Sequence, residues 1–255
     1  MRPAATVLLA GLLLAGCTPG ASTRDRDLQP TVQTNEVALT NLGLGVEYMR
    51  RGEYDKALEK LDKARQADPA YPLTYNTYGV LYQQLGDMQR AEQSFKRALQ
   101  LDPNNSATMN NYGRFLCQTG RPKEAEEIFL RAAANPLYET PEIPIANAGT
   151  CALGDGRPGD AEKFFRQALE HDPKIPAALL NMARLSYDQA RYLPARGYLQ
   201  RYVAVAKHTA ESLWLGIQIE QQLGDKDAVS SYALLLRNSF PDSEQAGMLR
   251  ESGAK

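Results

Sequence analysis

Tyr78 to Pro103 read YGVLYQQLGDMQRAEQSFKRALQLDP, and this stretch decides the fold. Tyr78, Gly79 and Tyr82 stand at helical spacing ahead of Gly86, and Ala91, Phe95 and Ala98 stand at helical spacing after it. Two amphipathic helices therefore meet at Gly86, where a tight turn needs the positive φ that glycine adopts without steric cost. Gly79, Ala91 and Ala98 are small enough to let antiparallel helices approach closely, while Tyr78, Tyr82 and Phe95 fill the space around them. Asp102-Pro103 ends the second helix, because proline cannot continue it.

The same pattern recurs along the chain. Leu44-Gly45, Tyr48, Gly52, Ala57, Leu61, Ala64 and Pro69 lie 34 residues earlier, and Tyr112-Gly113, Leu116, Gly120, Ala125, Phe129 and Ala132 lie 34 later. Ala148-Gly149, Ala152, Gly156, Ala161, Phe165, Ala168 and Pro173 follow at a step of 36, with two residues inserted in the stretch Pro136 to Pro144. A fifth unit keeps Met182-Ala183, Tyr192, Ala195 and Leu199 but has Ala190 in place of the turn glycine. A sixth keeps Gly224 and Pro241 but has Leu236 where alanine stood.

These residues resemble the tetratricopeptide repeat (TPR), from Ala38 to about Ser243. The resemblance implies an all-α, right-handed superhelix of six helix pairs, an alpha-alpha solenoid. The repeats are expected at about 38–71, 72–105, 106–141, 142–175, 176–209 and 210–243, within a domain spanning 35–255. One helix pair cannot bury both its faces, so stability comes from stacking neighbours around a concave groove.

The first residues carry different information. Met1-Arg2 start the chain with positive charge, Ala4 to Ala15 are almost unbroken apolar residues, and Leu14-Ala15-Gly16-Cys17 closes the run. The run is shorter than the roughly 20 residues that span a bilayer, and has the anatomy of an export signal. It resembles the bacterial lipoprotein lipobox, which implies a signal peptide at 1–16 and lipid attached to Cys17. Thr18 at the following position, rather than aspartate, resembles the sorting pattern for the outer membrane. Residues 17–34, rich in Pro, Ser, Thr, Arg and Asp, read as a lipidated tether facing the periplasm.

Composition narrows the function. In 255 residues, 29 Lys+Arg against 30 Asp+Glu leave a net charge of −1, so no basic field draws in nucleic acid. Two histidines, three cysteines and no CxxC or HExxH spacing give no metal site, and no cofactor beyond the covalent lipid is expected. His171 ends a second helix and His208 precedes a first helix, where capping or surface roles suit them. The glycines from Gly154 to Gly159 belong to a repeat turn and do not form a phosphate loop, so no enzyme is expected.

By resemblance to other TPR proteins, the groove is lined by the second, fifth, ninth and twelfth positions of each first helix. These are Leu39, Leu42, Val46 and Met49 in the first unit, then Leu73, Asn76, Val80 and Gln83. Such a run of apolar residues on an exposed face marks a partner surface, unless the tether covers it. Arg114 and Arg184 occupy equivalent positions further on and could hold partner carboxylates. The lysines of the TPR carboxylate clamp are missing, so capture of a C-terminal carboxylate is not expected. Asn111, Asn147 and Asn181 recur just before the small-residue pair, which favours a structural hydrogen bond.

With Cys17 assigned to lipid, Cys117 and Cys151 remain for an oxidising compartment. They are twelfth and tenth in adjacent first helices, and two residues of register turn a helix by about 200°. Stacked repeats touch through opposite faces, so the two thiols should meet in a disulfide. It would lie beside the junction that the inserted prolines are expected to loosen.

Lipobox, tether, six TPR units and cysteine pair together resemble the type IV pilus biogenesis lipoproteins of the PilF/PilW kind. Arg51 to Leu58, Asn110 to Cys117 and Cys151 to Leu153 carry most of that resemblance. It implies a pilotin: a lipid-anchored outer-membrane protein, expected to be monomeric, that binds the pilus secretin or another pilus-assembly protein and promotes secretin multimerisation. A TPR scaffold for cell-wall enzymes or for outer-membrane β-barrel assembly is the alternative.

Overall fold

The computed structural model describes residues 32–252, so Cys17, the signal segment and most of the tether lie outside the described residues. Helices pair in sequence as α1 (Val32–Arg50) with α2 (Tyr54–Ala67), α3 (Pro72–Gln84) with α4 (Met88–Leu101), and α5 (Ser106–Gln118) with α6 (Pro122–Ala133). Then follow α7 (Glu142–Gly154) with α8 (Pro158–His171), α9 (Pro176–Asp188) with α10 (Tyr192–Val203), and α11 (Ala210–Leu223) with α12 (Lys226–Ser239). A last helix, α13 (Glu244–Glu251), closes the chain. No strand occurs among the described residues, and the fold is an all-α TPR solenoid.

The turn glycines act as the sequence requires. Gly52, Gly86, Gly120, Gly156 and Gly224 all have φ between 71° and 78°, and Ala190, which replaces the fifth, is forced to φ 55°. In every pair but α9–α10, where Ala183 stands at the equivalent position, a glycine on the first helix receives a large side chain from the second. A Cβ on Gly79, Gly113 or Gly149 would lie 2.6–2.8 Å from the ring of Phe95, Phe129 or Phe165, so only glycine permits the approach. Each of those phenylalanines is essentially fully buried. Pro72, Pro122, Pro158 and Pro176 open their helices at positions where a missing N–H costs nothing. Between units, Asp68, Asp102 and Asp172 each accept a hydrogen bond from the backbone N–H two residues on, folding the Asp-Pro loops into Asx turns.

Curvature follows from which helices touch. The odd-numbered helices α1 to α11 contact one another in series, whereas the even-numbered helices α2 to α12 make no such contacts. The tighter row is the inner one, so the odd-numbered helices form the concave face.

Three expectations need correction. The first helix begins at Val32, inside the stretch read as tether up to residue 34. The inserted prolines do not loosen the junction between units three and four, since α6 and α7 make the most extensive contact of any pair joining two units. Asn135, in the loop after α6, ties that loop back to the start of α5 by donating from Nδ2 to the Asn104 carbonyl at 3.2 Å and to Ser106 Oγ at 3.0 Å. In the sixth unit the contact between the paired helices sits one residue early, while the turn at Gly224 keeps its register. Its small residue is Gly216, where a Cβ would lie 3.0 Å from the ring of Tyr232, and α13 covers the unit's open side by burying Ala246 and Leu249 against Leu213, Ile217 and Leu236.

Candidate partner-binding groove

The inner face changes chemistry along its length. On α1, Leu39 and Val46 project outward and are 52% and 49% exposed, whereas Met49 is half-buried. Leu42 does not belong with them. It is 9% exposed and packs among Ala57, Leu61 and Ala64 of α2 and Tyr78 and Leu81 of α3. The reason is helical phase, because Ala38, Leu42 and Gly45 form the stripe that faces α2 while Leu39 and Val46 lie on the stripe beside it. Leu73 and Val80 on α3 are half-buried and continue the apolar surface.

Beyond Val80 the face becomes polar. A cleft of about 290 Å³ is lined by Val80, Gln83, Gln84, Asn111, Arg114 and Gln118. Gln83 Nε2 donates to Gln118 Oε1 across α3 and α5. Asn111 Nδ2 donates to Asn76 Oδ1 at 3.1 Å, and Asn147 Nδ2 donates to Asn110 Oδ1 at 2.8 Å. These are the structural bonds the recurring asparagines suggested. Asn181 has no such partner because Ala146 stands opposite, and it donates to its own Ala177 carbonyl at 2.9 Å.

The two arginines have different fates. Arg114 is exposed and makes no ion pair among the described residues. Arg184 is bonded to Glu211 of α11 at 3.1 Å, so its charge is already matched within the protein. On the same inner helices, the structure brings Cys117 and Cys151 together with their Cα atoms 5.8 Å apart and their sulfurs at bonding distance. Cys151 is buried beside Phe115 and Phe129 in the core cluster of the middle units.

The histidines stay outside the groove. His171 is exposed, and His208 Nδ1 lies 3.0 Å from Ser212 Oγ in the cap of α11. Burial lowers the His208 pKa below its ordinary value.

Sequence reasoning missed the outer face. Arg121 bonds Glu92 of the preceding unit at 2.8 Å, Arg157 bonds Glu126 at 3.0 Å, and Arg191 bonds Glu162 at 2.9 Å. At the last junction the charges exchange places, with Arg196 reaching Asp225 at 3.5 Å and Glu220 more closely. The available signal was arginine recurring directly after the turn at 121, 157 and 191, with glutamate recurring at 92, 126 and 162.

A curved row of first helices with an open, partly apolar inner face is the architecture of a TPR scaffold. Tetratricopeptide repeat family models match residues 42–106, 83–136 and 152–215. The type IV pilus assembly protein PilF of Pseudomonas aeruginosa is 30% identical over 240 residues, covering 94% of each chain. The solved structure of Pseudomonas aeruginosa PilF matches with a TM-score of 0.77 at 29% identity, over 86% of this chain and 99% of that one. The crystal structure of PilW, described as a widely conserved type IV pilus biogenesis factor, matches with a TM-score of 0.74 at 32% identity, over 84% and 99%. The chain belongs to the PilF/PilW family of type IV pilus TPR proteins. No described helix is long and apolar enough to cross a membrane.

Proposed function

We propose that the chain is a pilotin, an outer-membrane lipoprotein that binds the type IV pilus secretin and promotes its localisation and multimerisation, hence pilus biogenesis. The observation that carries this reading is the exposed apolar pair Leu39 and Val46 at the start of the groove, continued by Leu73 and Val80, in a chain of the PilF/PilW family. Lipid on Cys17 would hold the protein at the periplasmic side of the membrane and raise the effective concentration of a membrane-bound partner. The groove would supply specificity, and the chemistry is binding without catalysis. The protein acts as a monomer, and Cys117 and Cys151 form a disulfide in the oxidising periplasm.

Leu39→Asp with Val46→Asp tests the placement, since both side chains are exposed and the fold does not depend on them. Cells carrying the double variant should lose heat-stable secretin multimers and twitching motility while keeping normal levels of the lipoprotein. Intact multimers would falsify it.

A further inference from the structure

The polar half of the groove has unspent hydrogen-bonding capacity. A primary amide offers two N–H donors and an oxygen with two lone pairs, and each asparagine pair across the units uses one donor and one acceptor. Asn76 and Asn110 therefore keep their NH2 groups, and Asn111 and Asn147 keep their oxygens. None of these atoms has another partner among the described residues. A free NH2 beside a free C=O is the complement of a peptide unit, which presents one acceptor and one donor. Arg114 lies one helical turn beyond Asn110 and Asn111, in the cleft that Asn111 and Gln118 also line. With Arg184 matched by Glu211, Arg114 is the unmatched charge among the predicted groove positions, so this stretch is complementary to a carboxylate.

We propose that Asn76, Asn110, Asn111, Asn147 and Arg114 hold the main chain of an extended partner segment, with Arg114 pairing an acidic side chain of that segment. This rests on the concave face being the partner surface. The occupant would have apolar residues for Leu39, Val46 and Val80 adjoining an Asp or Glu for Arg114. Rungs that only clamp neighbouring units together would bind no such segment.

Fluorescent 15-residue peptides tiling the secretin of the same bacterium, titrated against the full-length chain, provide the test. Peptides that join an apolar stretch to an acidic residue should bind, and Arg114→Glu should weaken them by about tenfold. Replacing the peptide's acidic residue by lysine should restore binding to the Arg114→Glu protein. Arg114 is exposed, so its replacement leaves packing intact, and an unchanged thermal midpoint checks this. The proposal is overturned if no peptide binds, if Arg114→Glu changes affinity by less than about twofold, or if the loss is equal for peptides without an acidic residue. Secretin multimers in cells with the α1 double variant are scored separately. Multimers that depend on α1, with peptide binding indifferent to Arg114, would sink this inference and leave the pilotin reading standing. Multimers indifferent to α1 would sink the pilotin reading instead.

Discussion

Ala190 is the residue where the repeat departs most plainly from its own rule. Five glycines turn the chain between paired helices with φ near 75°, and Ala190 makes the same kind of turn at φ 55° with a Cβ attached. The left-handed region costs an L-residue roughly 1–2 kcal/mol, partly offset because alanine restricts the unfolded chain. Ala190→Gly should therefore stabilise the protein by about 0.5–1 kcal/mol, read as a rise in the thermal unfolding midpoint. No rise would show that the turn is relaxed by its surroundings. The turn glycines and the glycines beneath Phe95, Phe129 and Phe165 were readable in the sequence because a positive φ favours glycine and the ring volume leaves no room for a Cβ. Leu42 was not readable in that way. Apolar residues surround it in sequence, and only the packing of α2 and α3 decides which stripe is covered.

At the scale of the element, Cys117 and Cys151 join α5 and α7 in the middle of the inner face, closing a loop that contains α6. In the chain-entropy account a cross-link of this span stabilises by roughly 3–4 kcal/mol. Oxidised protein should lose that much on reduction, measured by urea unfolding with and without reductant, and Cys117→Ser with Cys151→Ser should reproduce the reduced curve. Coincident curves, or two free thiols per chain in periplasmic material, would count against the bond. Helix register alone suggested that these thiols face one another, because repeats fix both the phase and the neighbour of every first helix. The final helix gave no comparable signal. With eight residues and two buried side chains, Ala246 and Leu249, α13 is too short for periodicity to stand out from a polar tail. It forms because Ser243 caps it and the sixth pair offers apolar surface to cover.

Across the whole molecule, ion pairs stitch the outer face where the even-numbered helices do not touch. Hydrogen bonds from Arg121 and then Lys96 lower the Glu92 pKa to about 2, and hydrogen bonds from Gln189, Arg166 and Arg191 lower that of Glu162 to about 2. Both carboxyls thus protonate in the unfolded chain, near 4.5, before they protonate in the folded one. Their contribution is present above that value and is lost as pH falls from about 4.5 toward 2. Unfolding midpoints measured across this range should fall with acidification, and Glu92→Gln should flatten the slope while lowering stability at neutral pH. An unchanged slope would assign the acid sensitivity elsewhere. These pairs escaped sequence reading because charged residues on a helix surface look the same whether they meet a neighbour or water.

The exchange of charge at the last junction also bears on how such a chain survives in a genome. Tandem segments of near-equal length invite unequal recombination, which deletes or duplicates one unit while keeping the reading frame. Loss of the 34 residues that hold Arg191 and Arg196 would bring Asp225 to the place where Arg191 now meets Glu162, setting two carboxylates against each other. The reversed pair thus sets an electrostatic penalty on losing the fifth unit, whereas the earlier units, which share one pairing, would leave an arginine facing a glutamate if one of them were lost.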